Sequence, residues 1–190
     1  MKKNFIIAGI LCGIALVCAL CISGINMFTS KIIANNAIAT ELETCQSIFS
    51  DYDADKSETQ TVSGGAITKK VLAKDSNGNE LGYIYTVTGK NSYGVITLMV
   101  AIKDNKVYQV EFLENGQSYA STVESHVKDN YPSSKDDVIY PFIKPEESPS
   151  IGSIDKDTVN GIDTSCGATY GANLVKELVQ YALNDALGGK

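Results

Sequence analysis

Seven residues near the C-terminal end, Asp163-Thr164-Ser165-Cys166-Gly167-Ala168-Thr169, hold the densest set of groups suited to carrying a reactive molecule. Gly167 and Ala168 offer little bulk, so a large group can approach the backbone there. Thr169 adds a hydroxyl just before a run with helical apolar periodicity. The first amides of a helix lack internal acceptors, and the helix dipole favours negative charge by about 0.3–1 kcal/mol. A phosphate at Thr169 would lie where the backbone can hold it. The same residues fit a plainer part, in which Thr169 caps the helix and Gly167-Ala168 ease a tight turn. The residues alone leave both readings open.

The elements that must position this segment can be read around it. From Gly171 onward, Leu174, Val175, Leu178, Val179, Ala182, Leu183 and Ala186 form an apolar stripe opposite Lys176, Glu177, Gln180 and Asn184. Gly188 and Gly189 end that helix. Upstream, Asp51 to Gly65 is polar and reads as a linker or loop. Strand signals begin near Ala66. Lys69–Lys74 and a strand with Leu81, Tyr83, Tyr85 and Val87 on one face flank Asn77-Gly78, a hairpin signal. Val95–Ile102 is apolar on both faces apart from Thr97 and predicts a buried interior strand. After a turn at Lys103–Lys106, Tyr108, Val110 and Phe112 alternate with Gln109 and Glu111. Ser121-Thr122-Val123-Glu124 has the form of a capping box opening a helix to about Tyr131. Four prolines, Pro132, Pro141, Pro145 and Pro149, predict an irregular stretch, and Val159–Ile162 a short strand. The expected fold class is α+β: an antiparallel sheet with flanking helices.

Composition narrows the function. The 190 residues carry a net charge of −6, with every acid at Glu41, Glu43 or beyond residue 50. That argues against nucleic-acid binding, which needs a basic footprint. Cys12, Cys18 and Cys21 fall in an apolar run, and Cys45 and Cys166 lie outside it. A Cys45–Cys166 bridge is open to such a chain outside the cytoplasm, but no spacing suggests a disulfide framework or a metal site. His126 has no partner motif and reads as a surface or packing residue.

Lys2 and Lys3 precede an uncharged run from Phe5 to Phe28. About 24 helical residues reach about 36 Å, enough for a hydrocarbon core of about 30 Å. No small-residue cleavage site follows directly, so the run reads as an uncleaved anchor. The lysines before it place the N-terminus in the cytoplasm and the acidic bulk outside. Ile32, Ile33, Ala37, Leu42, Cys45 and Ile48 continue the helical period beyond it. The expected organisation is a cytoplasmic N-terminus and anchor over residues 1–28, a membrane-proximal helix and linker over 29–65, and a folded domain over 66–190.

The motif Asp163–Thr169 resembles the flavinylation site of the extracytosolic FMN-binding domain family. Gly89-Lys90-Asn91-Ser92-Tyr93-Gly94, running into Val95–Val100, resembles that family's Gly/Tyr-rich turn entering a buried strand. With the anchor, the chain is similar to the G-subunit family of Rnf-type ion-translocating ferredoxin:NAD oxidoreductases. It is more distantly similar to the C subunits of sodium-pumping NADH:quinone oxidoreductases. The resemblance implies a transmembrane helix followed by an extracytosolic FMN-binding domain. It implies FMN attached covalently by a phosphoester to Thr169, with Asp163, Gly167 and Ala168 recognised by a Mg-dependent flavin transferase. Ser165, Cys166, Tyr170 and Gly94 belong to the implied cofactor site. Cys166 stands where the family usually has Ser. Glu114–Ala120 stands where many members carry Glu-Thr-Pro-Gly-Leu-Gly close to the flavin ring. Glu114, Ser118 and Thr122 are implied flavin contacts, and Tyr93 and Tyr119 implied ring neighbours. The implied partners are the other membrane subunits of an Rnf-type complex. The chain would then be an electron-transfer subunit rather than a self-contained enzyme. Two other readings fit the sequence: a stand-alone extracytosolic FMN-binding electron-transfer protein, and a cofactor-free cell-surface binding module.

Overall fold

The computed structural model describes residues 2–62, 64–133 and 151–188, with side chains from residue 11 onward except at 24, 27, 28, 30, 31 and 33–35. Pro141, Pro145 and Pro149 lie outside the described residues. The chain divides into two compact units, Met1–Glu41 and Leu42–Lys190.

The first unit is helical. Helix α1 runs over Lys2–Ile48, and its last residues belong to the second unit. Among the described residues no helix is long and apolar enough to cross a membrane. The run Phe5–Phe28 begins and ends on side chains outside the description. Within it, Leu11, Ile14, Leu16, Val17, Leu20, Ile22 and Ile25 are all exposed.

The second unit is built on an antiparallel meander of order β1-β2-β3-β4-β5: β1 Glu58–Gln60, β2 Ile67–Lys74, β3 Glu80–Asn91, β4 Gly94–Lys103 and β5 Lys106–Asn115. Helices α2 (Ala120–Asn130), α3 (Lys156–Gly161) and α4 (Thr169–Ala186) follow. Side chains alternate along a strand, and here each face is covered. Tyr85, Val87, Ile96, Leu98, Val100, Val107 and Val110 share a core with Val123 and Val127 of α2 and Val175, Leu178 and Leu183 of α4. On the other face Ile84, Met99 and Ala101 meet Cys45, Ile48 and Phe49 at the end of α1. That explains why β4 is apolar on both sides. Full burial of one Leu or Val contributes about 1.5–3 kcal/mol, so the stripe of α4 fixes the helix, and Thr169 with it, against the sheet.

Several local expectations are corrected. The stretch Asp51–Gly65 is not all loop: Glu58–Gln60 pairs with β2 through Glu58↔Leu72 and Gln60↔Lys70. Asn77-Gly78 is not a two-residue hairpin turn, since only Gly78 has positive φ. The loop is closed instead by Asp75, whose Oδ1 accepts from the Asn77 and Asn79 amides at 2.9 and 2.8 Å. The turn with two left-handed residues is at Asp104 (φ 52°) and Asn105 (φ 62°), between paired Lys103 and Lys106. Leu81 does not share a face with Tyr83, Tyr85 and Val87, because the register shifts near Lys74 and moves it to the Ile84 side. Tyr108 likewise leaves the Val110 face at a register shift and stacks on Phe49, with ring centroids 5.2 Å apart.

The capping box is not formed. Helix α2 starts at Ala120 with Tyr119 at its N-cap and no side-chain cap. Ser121 is already helical, and Glu124 accepts from Asn115 Nδ2 at 3.0 Å. Val159–Ile162 is not a strand: Lys156–Gly161 is a short helix capped by Asp155, which accepts from the Thr158 amide at 2.9 Å. Cys45 and Cys166 are both free, and they belong to cores on opposite faces of the sheet. His126 is buried, which favours the packing reading.

Candidate functional site

Three segments meet at one end of the sheet. The first is the β3–β4 turn. Asn91 Oδ1 accepts from the Tyr93 amide at 2.8 Å, and Asn91 Nδ2 donates to the Tyr170 carbonyl at 3.1 Å. One asparagine thereby ties the turn to the start of α4. The second segment is the loop after β5. The Gly116 amide donates to Val95 O at 2.8 Å and the Ser118 amide to Tyr93 O at 3.2 Å. Gly94 has φ +146°, and a Cβ there would fall 1.9 Å from Gly116 O. Only glycine lets the two loops lie this close. The third segment is the motif itself. Asp163 Oδ1 accepts from the Ser165 amide at 2.9 Å, and the Cys166 amide donates to Thr164 O at 2.8 Å. Thr164 Oγ1 donates to Asn173 Oδ1 at 2.6 Å. Lys176 Nζ donates to the carbonyls of Asn160 and Ile162, each at 2.8 Å, and so joins the end of α3 to α4.

Thr169 is the first residue of α4, with Ala168 at the N-cap and no side-chain cap. Its Oγ1 donates backward to Cys166 O at 2.7 Å. The hydroxyl is exposed and accepts from none of the helix amides. The plainer reading, Thr169 as the helix cap, is therefore not what the fold does with it.

A cavity of about 250 Å³ opens beside this hydroxyl, lined by Tyr93, Gln117, Tyr119, Val123 and the segment Gly167–Gly171. Its walls are mainly apolar. Tyr93 and Tyr170 form one side with ring centroids 5.2 Å apart and planes tilted by 31°. Tyr119 and Tyr170 are 62% and 66% exposed, high for side chains of this size beside a cavity. Gly171 lies against α2, since a Cβ there would be 2.5 Å from Val123 Cγ2. Gln117 is only 7% exposed, and its Nε2 has no hydrogen-bond partner. A buried amide donor without a partner costs about 1–3 kcal/mol.

The expected residues fall into two groups. Tyr93, Tyr119, Gly167, Ala168, Thr169 and Tyr170 line the cavity. Asp163 and Ser165 form the exposed turn leading to it, and Cys166 packs half-buried against the main core. Gly94 and Ser118 brace the loops behind it, and Thr122 Cγ2 lies 3.7 Å from where a Gly167 side chain would begin. Glu114 is exposed on β5 opposite Thr97 and does not line the cavity. Sequence reading missed Gln117, Val123 and Gly171. Val123 and Gly171 read there only as helix positions, and a lone loop glutamine has no sequence signature.

Among the described residues the charges near the site are few. The Ser165 amide holds the Asp163 carboxyl below the usual carboxylate range. Burial lowers the His126 imidazole, against the opposing pull of Asp129 and Asp163. Among the described residues no cluster of His, Cys, Asp or Glu could hold a metal ion.

The residues present fit a flat aromatic cofactor carrying a phosphate. Glycine and alanine leave the backbone open, tyrosines flank the opening, a donor waits at the wall, and a helix N-terminus faces the hydroxyl. Comparison with known families agrees. Residues 92–184, from the β3–β4 turn through most of α4, match the FMN-binding domain family. No curated protein matches the chain.

Proposed function

We propose that this chain, whose residues 92–184 match the FMN-binding domain family, is a membrane-anchored electron carrier with FMN joined covalently to Thr169. The observation that supports the attachment is the state of the Thr169 hydroxyl: exposed, at the first position of α4, beside the tyrosine-flanked cavity, and unused as a cap. In maturation Thr169 Oγ1 is the acceptor. It loses its proton, bonds the flavin-side phosphorus of FAD, and displaces AMP under the action of a flavin transferase. The bound group supplies the redox chemistry. Gly167 and Ala168 would leave room for it, the free amides at the start of α4 would hold its phosphate, and Tyr93, Tyr119 and Tyr170 would flank its ring. Asp163 holds the preceding turn through the Ser165 amide and forms part of the surface the transferase reads.

The exposed apolar side chains Leu11 to Ile25 on α1 support anchoring, since a helix apolar all round is stable only when covered. Lys2 and Lys3 before that run support a cytoplasmic N-terminus and an extracytosolic domain. The proposed place of work is the G-subunit position of an Rnf-type ion-translocating complex, with membrane subunits as donor and acceptor.

The test is co-expression with a flavin transferase, followed by denaturing electrophoresis and intact-mass measurement. Wild type retains in-gel flavin fluorescence and one added FMN-phosphoryl mass. Thr169→Ala shows neither. Denaturation-resistant flavin in that variant would refute the attachment.

A further inference from the structure

Gln117 is the one side chain at the cavity whose chemistry remains unexplained. It is more than nine-tenths buried, it lines the cavity, and its Nε2 has no partner among the described residues. Its Oε1 lies 3.3 Å from where a Gly171 side chain would begin. The carboxamide is thus wedged between the loop and the start of α4. Its own amide donates to Asn115 Oδ1 at 3.3 Å, which ties its backbone to the end of β5.

Glutamine is a poor choice for mere packing here. An unsatisfied buried donor destabilises the fold, and an apolar side chain of the same length would remove that cost. The terminal carboxamide torsion is broad and soft, so a small rotation presents Nε2 to the cavity that the same residue lines. Phosphate finds its donors elsewhere, at the free amides of α4. The apolar wall around Gln117 suits a ring instead, and a flavin ring needs hydrogen bonds at its heteroatom edge.

We propose that Gln117 is a positioning and specificity residue for the flavin ring, donating from its carboxamide to a heteroatom acceptor on that ring. This rests on the FMN reading above. It assigns to this chain a ring contact outside the Asp163–Thr169 motif, at a residue of the Glu114–Ala120 loop that is not among the contacts named from sequence. The donor is unsatisfied without cofactor and satisfied with it. A residue that served packing alone would show no such asymmetry.

The test uses the full chain produced without transferase and titrated with riboflavin, which carries the ring but no phosphate. Flavin fluorescence quenching gives the affinity. Gln117→Met keeps length and lacks the donor; Gln117→Leu is a second apolar variant in case one packs badly. Both are expected to bind riboflavin about 3- to 10-fold more weakly. Both are also expected to raise the thermal midpoint of the flavin-free protein. In transferase-loaded protein, Gln117→Met should keep its FMN but shift its midpoint potential and its visible absorption maximum.

Unchanged riboflavin affinity, potential and spectrum in both variants would overturn the inference while leaving FMN attachment intact. A lower thermal midpoint with unchanged affinity would overturn it in favour of packing. If loaded wild type carries no FMN, the functional reading fails first, and the Thr169→Ala comparison on denaturing gels identifies that case.

Discussion

The contact between Gly171 and Val123 determines how closely α4 lies on α2, and with it the width of the cavity. A methyl at Gly171 would sit 2.5 Å from Val123 Cγ2, well inside ordinary contact distance. Overpacking of this kind costs about 1–3 kcal/mol. Alanine gains about 0.8–1.0 kcal/mol over glycine within a helix, somewhat less in its first turn. Gly171→Ala is therefore expected to destabilise by about 1 kcal/mol net. Val123 is fully buried, and Val123→Ala removes two methyl groups at about 0.8 kcal/mol each plus a small cavity contribution, about 2 kcal/mol in all. In the double variant the clashing methyl is gone and the helix gain remains, which leaves a loss of about 1 kcal/mol. The singles sum to about 3 kcal/mol, so the coupling is about 2 kcal/mol in favour of the double variant. Urea unfolding of the full chain, followed by tyrosine fluorescence, measures all four corners. Flavin titration of the same proteins shows whether the methyl added by Gly171→Ala also fills the cavity. Additive losses would refute the close approach as the limiting contact.

Asn105→Gly should be neutral or stabilising and Asn105→Val destabilising by about 1–2 kcal/mol, because φ is 62° there; thermal unfolding reads both. Asp185 accepts from Lys70 Nζ at 2.7 Å and Tyr85 Oη at 3.0 Å, and the Lys70 bond is the main cause of its lowered carboxyl pKa. Its stabilisation is present above the ordinary Asp value near 3.9 and is lost as pH falls through the lower folded value. Asp185→Asn should flatten that acid limb in urea unfolding between about pH 5 and 2, modestly, because the pair is partly exposed. Burial pushes the Tyr85 hydroxyl up to about 12, so alkaline titration should find a tyrosine ionising well above the ordinary value of about 10. Asp155→Ala should lower the thermal midpoint and speed amide exchange at Thr158, since it removes the cap of α3.

The features legible in sequence were those fixed by period. The apolar stripe of α4 and the two-faced apolar run of β4 are determined by what each side must bury, and both elements stand where the pattern puts them. Features decided by competition between nearby donors were not legible. Ser121 and Glu124 have the spacing of a cap, yet Asn115 takes the Glu124 carboxylate and the N-cap falls two residues earlier, at Tyr119. Asn77-Gly78 has hairpin composition, yet Asp75 binds two amides of the same loop and imposes its own turn. Val159 and Ile162 are β-branched and suggest a short strand, yet Asp155 caps a helix over Lys156–Gly161 instead. At the site, small residues and a hydroxyl announced themselves by type. Gln117 did not, because its distinction is to be buried without a partner, which only packing creates.

The size of the cavity bears on why a covalent link would be useful. Pockets that enclose a drug-sized ligand are usually about 300–1,000 Å³. The cavity here, about 250 Å³, falls short of that. It can grip part of a flavin nucleotide and must leave the remainder in solvent, flanked by the exposed rings of Tyr119 and Tyr170. Partial enclosure limits non-covalent affinity, because fewer contacts offset the freedom lost on binding. The proposed ester to Thr169 would make retention independent of that affinity. The open side would then expose the redox group to a partner without risking its loss. On this reasoning the shallow cavity and the exposed hydroxyl are a matched pair, and enlarging the grip would hinder exchange of electrons rather than improve it.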